Sequence, residues 1–295
     1  MQKRYCVGNV VTAMVTPFDK DLNINYQMVE KLANHLVNNG TDTILVAGTT
    51  GESPTLTHEE ELELLKVVKS AVSGKAKILM GAGSNSTATA VEMSKKVAKA
   101  GADAILSVVP YYNKPSQIGM VAHFGAIANA VDLPIMLYNI PGRTGVDMAP
   151  ETIVKIATEH KNIFAVKQSN GNLDLVTEII SDAPEGFVLF SGDDSLTLPM
   201  LALGAVGVVS VASHLVGNEI QAMIKAFKSG NVAEATALHH KYYPVFKKIF
   251  MAPNPIPLKA ALDKKGLIEE NVRLPLVELD EKQKAELFGV IDYVL

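Results

Sequence analysis

Residues 44–72, ILVAGTTGESPTLTHEEELELLKVVKSAV, hold a complete strand, turn and helix in order. The stretch opens on the apolar run Ile44 to Ala47 and passes through the glycine-bounded turn Gly48 to Gly51. It then reaches Thr57-His58-Glu59-Glu60, where threonine and glutamate three residues apart are typical of a capping box that starts a helix. The spacing that follows predicts one apolar helix face, made of Leu62, Leu65, Val68 and Val72.

The same unit recurs along the whole chain. Short apolar runs that predict strands occur at Val10–Met14, Ile44–Ala47, Ile78–Met80, Ala104–Val109, Ile135–Tyr138, Phe164–Val166, Phe187–Phe190 and Val206–Val211. Strands that alternate with helices indicate a parallel sheet, and continuous apolar runs indicate strands covered on both faces. A closed barrel and an open doubly wound sheet both meet these conditions. The count of eight favours the barrel, and the loop GAGSNS at 81–86 lacks the third glycine of a dinucleotide-binding turn.

We therefore predict an α/β fold: a TIM (β/α)8 barrel at residues 1–225, followed by a small C-terminal helical domain at 226–295. The chain has 295 residues, of which 48% are apolar and 20% charged, so it can bury a large core. Beyond the eighth strand we expect extra helices at Asn218–Lys228 and Val232–Met251.

Composition excludes several classes of function. The net charge of −4 comes without a basic, aromatic-rich cluster, so we expect no nucleic-acid partner. No apolar run approaches the roughly 18 residues of a membrane span, and we expect no membrane association and a cytoplasmic location. The single cysteine and the spacing of the seven histidines match no metal-site pattern. We expect neither a metal nor another cofactor.

In such a barrel the active site forms at the C-terminal ends of the strands. Lys167 directly follows the sixth apolar run, where an ammonium is poorly solvated, and this favours the neutral amine that can attack a carbonyl. Its alternative role is a buried ion pair with Glu52 or Asp193, and strand periodicity alone does not separate the two.

The other strand ends favour the Schiff-base role. Hydroxyls that could relay protons are supplied at three strand ends by Thr49, Thr50, Tyr112 and Tyr138. Backbone N–H groups of the turn Gly48 to Gly51 could bind the carboxylate of a 2-oxo acid without adding a charge. Arg143 offers a planar fork for a second carboxylate.

Together these motifs resemble the dihydrodipicolinate synthase (4-hydroxy-tetrahydrodipicolinate synthase) family, within the pyruvate-dependent class I aldolase superfamily. The resemblance covers essentially the whole chain. The motifs that carry it are TAMVTPF at 12–18, GTTGES at 48–53, PYYN at 110–113, YNIP at 138–141, RTG at 143–145 and NPIP at 254–257.

The resemblance implies a set of roles. Lys167 would form an imine with pyruvate, Tyr138 would exchange protons, and Thr49 and Tyr112 would complete the relay, with Tyr112 reaching in from a neighbouring subunit of a homotetramer built from tight dimers. The same resemblance implies that pyruvate is held by Thr50 and by the backbone at Gly192 and Val209. It also implies that Arg143 binds the carboxylate of the second substrate, aspartate-4-semialdehyde.

Two other functions stay open at this point. Gln168-Ser169-Asn170-Gly171 is similar to the sialic acid lyase branch of the superfamily, so N-acetylneuraminate lyase or 2-keto-3-deoxygluconate-type aldolase activity is the alternative. A catalytically silent barrel with a binding or regulatory role is less favoured, because Lys167, Tyr138 and the Thr49-Thr50 pair are all present.

Overall fold

The computed structural model describes residues 5–295 and has the predicted fold class. Eight parallel strands follow one another in chain order around a closed barrel. Their bounds are β1 Val10–Ala13, β2 Thr43–Val46, β3 Lys77–Gly81, β4 Ala104–Val108, β5 Ile135–Asn139, β6 Ile163–Gln168, β7 Val188–Ser191 and β8 Gly207–Ser210. Each strand overlaps its predicted apolar run.

Twelve α-helices occur in residues 5–295, and several of them follow β8 as expected. They are α1 Tyr26–Asn38, α2 His58–Val72, α3 Thr87–Lys99, α4 Gln117–Ala128, α5 Pro141–Thr144, α6 Pro150–Glu159, α7 Leu173–Asp182, α8 Thr197–Ala202, α9 Ser213–Lys228, α10 Val232–Lys248, α11 Ile256–Lys264 and α12 Glu281–Val294. Within the described part of the chain, no helix has the length and apolar character needed to span a membrane.

The chain divides into two compact units. The first comprises residues 5–8 and Leu79–Val209, and the second Asn9–Ile78 and Ser210–Leu295. The boundary at residue 225 between barrel and C-terminal domain stays a prediction, and residues 1–4 of that barrel lie outside the described residues.

In the first unit, strand pairing aligns the residues that matter for the site. Parallel pairing places Tyr138 of β5 opposite Lys167 of β6, and Lys167 opposite Phe190 of β7. All six residues of β6 are buried, which explains why its sequence is an uninterrupted apolar run up to the lysine.

In the second unit, the predicted capping box starts α2. Thr57 Oγ1 accepts a hydrogen bond from the N–H of Glu60 at 3.1 Å, and Glu60 Oε2 accepts one from the N–H of Thr57 at 2.9 Å. The predicted apolar face is wrong at one position, because Leu62 is only half-buried while Glu61 and Leu64 are buried. Leu62 lies one residue off the buried stripe, which follows the helical spacing 61, 64, 65, 68 and 72.

Candidate active site

The centre of the candidate site in the first unit is a buried lysine beside a tyrosine ring. Lys167 is 6% exposed and Tyr138 is 5% exposed. The Nζ of Lys167 lies 4.1 Å from the centroid of the Tyr138 ring. The two residues are register partners on adjacent parallel strands, so their side chains leave the sheet on the same face. The predicted nucleophile and the predicted proton-transfer residue are therefore brought together.

The alternative role of Lys167 as an ion-pair partner is not observed. Among residues 5–295, Lys167 forms no ion pair. The carboxylate of Asp193 instead accepts hydrogen bonds from the backbone N–H and the hydroxyl of Ser195, both at 2.8 Å. Glu52 pairs with another lysine, described below. The Nζ of Lys167 is therefore not held by a carboxylate within residues 5–295.

Gly192 lies directly beside the stem of Lys167. A Cβ atom at residue 192 would sit 3.1 Å from Lys167 Cε and 1.9 Å from Ser169 Oγ. Only glycine therefore lets the backbone after β7 approach the lysine this closely. The N–H of Gly192 donates to the carbonyl of Gln168 at 2.8 Å, which leaves its own carbonyl as the group that can face a ligand. Val209, the other position whose backbone was predicted to hold pyruvate, lies on β8 and is 1% exposed.

The loop after β5 is held by a residue that the sequence did not single out. Asp147 accepts one hydrogen bond from Asn139 Nδ2 at 2.7 Å and another from Asn170 Nδ2 at 2.6 Å, so it links the loops after β5 and β6. Arg143 lies between these points in α5, where it is exposed and forms no ion pair within residues 5–295. The signal for Asp147 was available in principle, because a buried asparagine such as Asn139 requires hydrogen-bond partners.

Tyr112 is not brought into this buried environment. Its side chain is 89% exposed, and its backbone has a φ of 71°, a left-handed conformation that non-glycine residues seldom adopt. The adjacent Asn113 anchors the loop by donating to the carbonyl of Asn85 at 2.9 Å. Within one chain, Tyr112 therefore presents its hydroxyl to the outside.

The two threonines lie in the turn after β2, in the second unit. Thr49 is half-buried and Thr50 is 3% exposed. Asn254 Nδ2 donates a hydrogen bond to Thr50 Oγ1 at 2.9 Å. We expected the N–H groups of this turn to bind a carboxylate, but the N–H of Gly51 donates to the carbonyl of Gly48 at 3.0 Å. That donor is used inside the turn, which corrects the expectation at this position.

Glu52 ends this turn in a buried ion pair with Lys259, a residue to which the sequence assigned no role. Lys259 Nζ lies 2.6 Å from Glu52 Oε1, and the two side chains are 0% and 1% exposed. Burial lowers the pKa of Lys259 to about 8, although the neighbouring Glu52 carboxylate acts in the opposite direction. A lysine inside the apolar segment 256–262 was the available signal for a buried charge.

Comparison with known proteins adds independent information. The sequence model described as the Dihydrodipicolinate synthetase family matches residues 6–293. The 4-hydroxy-tetrahydrodipicolinate synthase of Bacillus velezensis is 50% identical over 285 residues, which are 97% of this chain and 98% of that protein. The enzyme of the same name from Microcystis aeruginosa is 56% identical over 285 residues, which are 96% of each chain.

Solved structures agree with these relatives. A structure of DHDPS from Cyanidioschyzon merolae with lysine bound has a TM-score of 0.95 and 52% identity, and the match covers 98% of this chain and 99% of that one. A structure of dihydrodipicolinate synthase DapA-2 from Bacillus anthracis has a TM-score of 0.96 and 47% identity, with coverage of 98% and 99%.

Proposed function

The chain belongs to the dihydrodipicolinate synthetase family, and we propose that it condenses pyruvate, bound as a Schiff base on Lys167, with aspartate-4-semialdehyde. This is a carbon–carbon bond-forming lyase reaction of the class I aldolase type, and it belongs to the biosynthesis of diaminopimelate and lysine. The observation that carries the proposal is the buried amine of Lys167, which has no carboxylate partner within residues 5–295 and lies 4.1 Å from the Tyr138 ring.

The first half of the proposed reaction builds a nucleophile from pyruvate. The neutral Nζ of Lys167 attacks the ketone carbon, and the resulting carbinolamine loses water to give an iminium ion. The iminium ion withdraws electrons from the adjacent methyl group, which then loses a proton and becomes an enamine. Tyr138 is the group beside Lys167 that can carry these protons, with Thr49 and Tyr112 as further members of the relay. The imine itself serves as the electron sink, so this chemistry needs no further cofactor.

In the second half, the enamine carbon attacks the aldehyde carbon of the semialdehyde. The amino group of the new chain then closes onto the imine carbon and displaces Lys167, which frees the enzyme. We assign the pyruvate carboxylate to the hydroxyl of Thr50, and further contacts with the bound pyruvate to the backbone of Gly192 and Val209. The semialdehyde carboxylate is assigned to Arg143. Arg143 suits this role because it is exposed, unpaired within residues 5–295 and able to form two parallel hydrogen bonds.

We further propose that the enzyme works in the cytoplasm as a homotetramer, a dimer of dimers in which Tyr112 enters a neighbouring subunit. The support is the 89% exposure of Tyr112, together with 83% exposure of Ile118 six residues later. Large apolar side chains exposed this fully are typical of surfaces that bind another chain. A residue that can act only across an interface would make turnover depend on assembly.

Borohydride reduction in the presence of pyruvate tests the proposal. We expect the reduced pyruvate imine on Lys167, located by peptide mass mapping, and no adduct in Lys167→Met. The chain contains its own control, because Lys259 is also buried but is paired with Glu52, and it should stay unmodified. An unmodified Lys167, or an adduct spread over other lysines, would refute the Schiff-base assignment. Turnover with aspartate-4-semialdehyde but not with N-acetylmannosamine then separates the synthase from the sugar-acid lyases.

A further inference from the structure

We propose that Asn254 is a positioning residue for the pyruvate carboxylate, and that it acts by directing the hydroxyl proton of Thr50 toward the ligand. This inference rests on the proposed function and extends it to the C-terminal segment, which contributes none of the residues assigned above. It predicts that a single amide group, 204 positions away in sequence, decides whether Thr50 is a hydrogen-bond donor or acceptor.

The geometry of one hydrogen bond carries the argument. Asn254 Nδ2 donates to Thr50 Oγ1 at 2.9 Å, and the two residues are 8% and 3% exposed. A threonine hydroxyl has one proton, and an oxygen that accepts from an amide keeps that proton for another acceptor. An ionised carboxylate can accept hydrogen bonds but cannot donate them. It therefore needs the proton of the Thr50 hydroxyl to point toward it.

The side-chain amide of Asn254 makes one hydrogen bond within residues 5–295, the one to Thr50. Asn254 Oδ1 is buried and makes no hydrogen bond within residues 5–295, so Thr50 is the side-chain partner that accounts for the polar group at this position. Burying an amide whose oxygen is unpaired costs free energy. A group retained at such a cost is a candidate for a role in the site beyond packing.

The turn that holds Thr50 is strained and is fixed from the same C-terminal segment. Ala47 and Glu52, which flank the turn, have left-handed backbones with φ of 52° and 56°. Such conformations are strained and persist only where surrounding contacts hold them. Five residues after Asn254, Lys259 pairs with Glu52 at 2.6 Å. The segment 254–259 therefore holds both Thr50 and the end of its turn.

The decisive variant is Asn254→Asp, which keeps the shape but replaces the donor by an acceptor. Thr50 would then donate its proton to the introduced carboxylate and lose it for pyruvate. A hydrogen bond to a charged group contributes about 1.5–3 kcal/mol, so kcat/KM for pyruvate should fall roughly 10- to 100-fold. The half-saturating pyruvate concentration for borohydride trapping should rise by a similar factor, whereas the KM for aspartate-4-semialdehyde should change far less. Asn172→Asp, at an exposed helix N-cap where aspartate is equally suitable, is the matched control for the added charge.

A double-mutant cycle separates positioning from a structural role. In a Thr50→Val background the hydroxyl is absent, and Asn254→Asp should then cause no further loss in kcat/KM for pyruvate, while the loss should persist in a Thr50→Ser background. Equal losses in the Val and Ser backgrounds, or an Asn254→Asp enzyme with unchanged pyruvate kinetics, would overturn the inference. Failure of the proposed function looks different, because the unmodified enzyme itself would then form no pyruvate adduct on Lys167.

Discussion

Replacing Lys259 by methionine tests how the buried ion pair supports the turn after β2. Lys259 is fully buried, and its Nζ contacts Glu52 Oε1 at 2.6 Å, donates to the carbonyl of Asn271 at 2.7 Å and lies 4.2 Å from the centroid of the Phe18 ring. Methionine has a similar length and retains the apolar contacts, but it leaves the Glu52 carboxylate without its counter-charge. The variant therefore removes the ion pair and the hydrogen bond to Asn271 while it keeps the packing.

The expected loss is large because one buried charge remains. Removing one partner of a buried ion pair costs about 3–5 kcal/mol of the free energy of unfolding. The double variant Glu52→Gln with Lys259→Met removes both charges, and the glutamine oxygen can still accept the hydrogen bond that the N–H of Arg273 donates to Glu52 at 3.0 Å. Replacing a complete buried pair by neutral groups is often close to neutral, so we expect the double variant to lose only about 1–2 kcal/mol.

Urea unfolding followed by circular dichroism measures both variants. The control is Lys265→Met, at the exposed C-cap position directly after α11, where we expect a change of less than about 0.5 kcal/mol. The reasoning is refuted if Lys259→Met loses less than about 1 kcal/mol, or if the double variant loses as much as the single one. Either result would mean that Glu52 does not need the lysine for its burial.

Three further predictions concern other parts of the chain. Burial lowers the pKa of the fully buried His214 to about 4, so between pH 6.5 and 4 this histidine is protonated only in the unfolded chain. As the pH falls through this window, the free energy of unfolding should therefore decrease by about 3 kcal/mol. Acid unfolding titrations of His214→Gln should lack this decrease. Tyr112→Phe should slow steady-state turnover while borohydride trapping of pyruvate stays intact, and unchanged turnover would mean that the hydroxyl has no role. Thr57→Ala should lower the free energy of unfolding by about 1 kcal/mol through loss of the α2 cap, and Thr57→Ser by less; equal losses would contradict the capping role.

Local patterns in the sequence were sufficient to locate the eight strands and the start of α2, and to single out Lys167 as a candidate. Apolar runs predicted the strands because each strand of a parallel sheet is covered on both faces, and the Thr57 capping box predicted the start of α2 because its hydrogen bonds join residues three apart. Lys167 was identifiable because a lysine at the end of a buried run is chemically unusual. Family resemblance then supplied the roles of the surrounding residues.

Pairs of residues that are distant in sequence could not be read in the same way. Glu52 was a possible partner of Lys167 on the sequence alone, yet it pairs with Lys259, and Thr50 meets Asn254 204 positions away. Asp147 ties two loops together without belonging to any recognised motif, and the N–H of Gly51 is used inside its own turn. Periodicity reports which residues are buried, because burial repeats with the geometry of the local element. It does not show which buried polar groups form hydrogen bonds or ion pairs with one another. Those pairs form only in the folded chain, where distant segments meet and water is excluded around them.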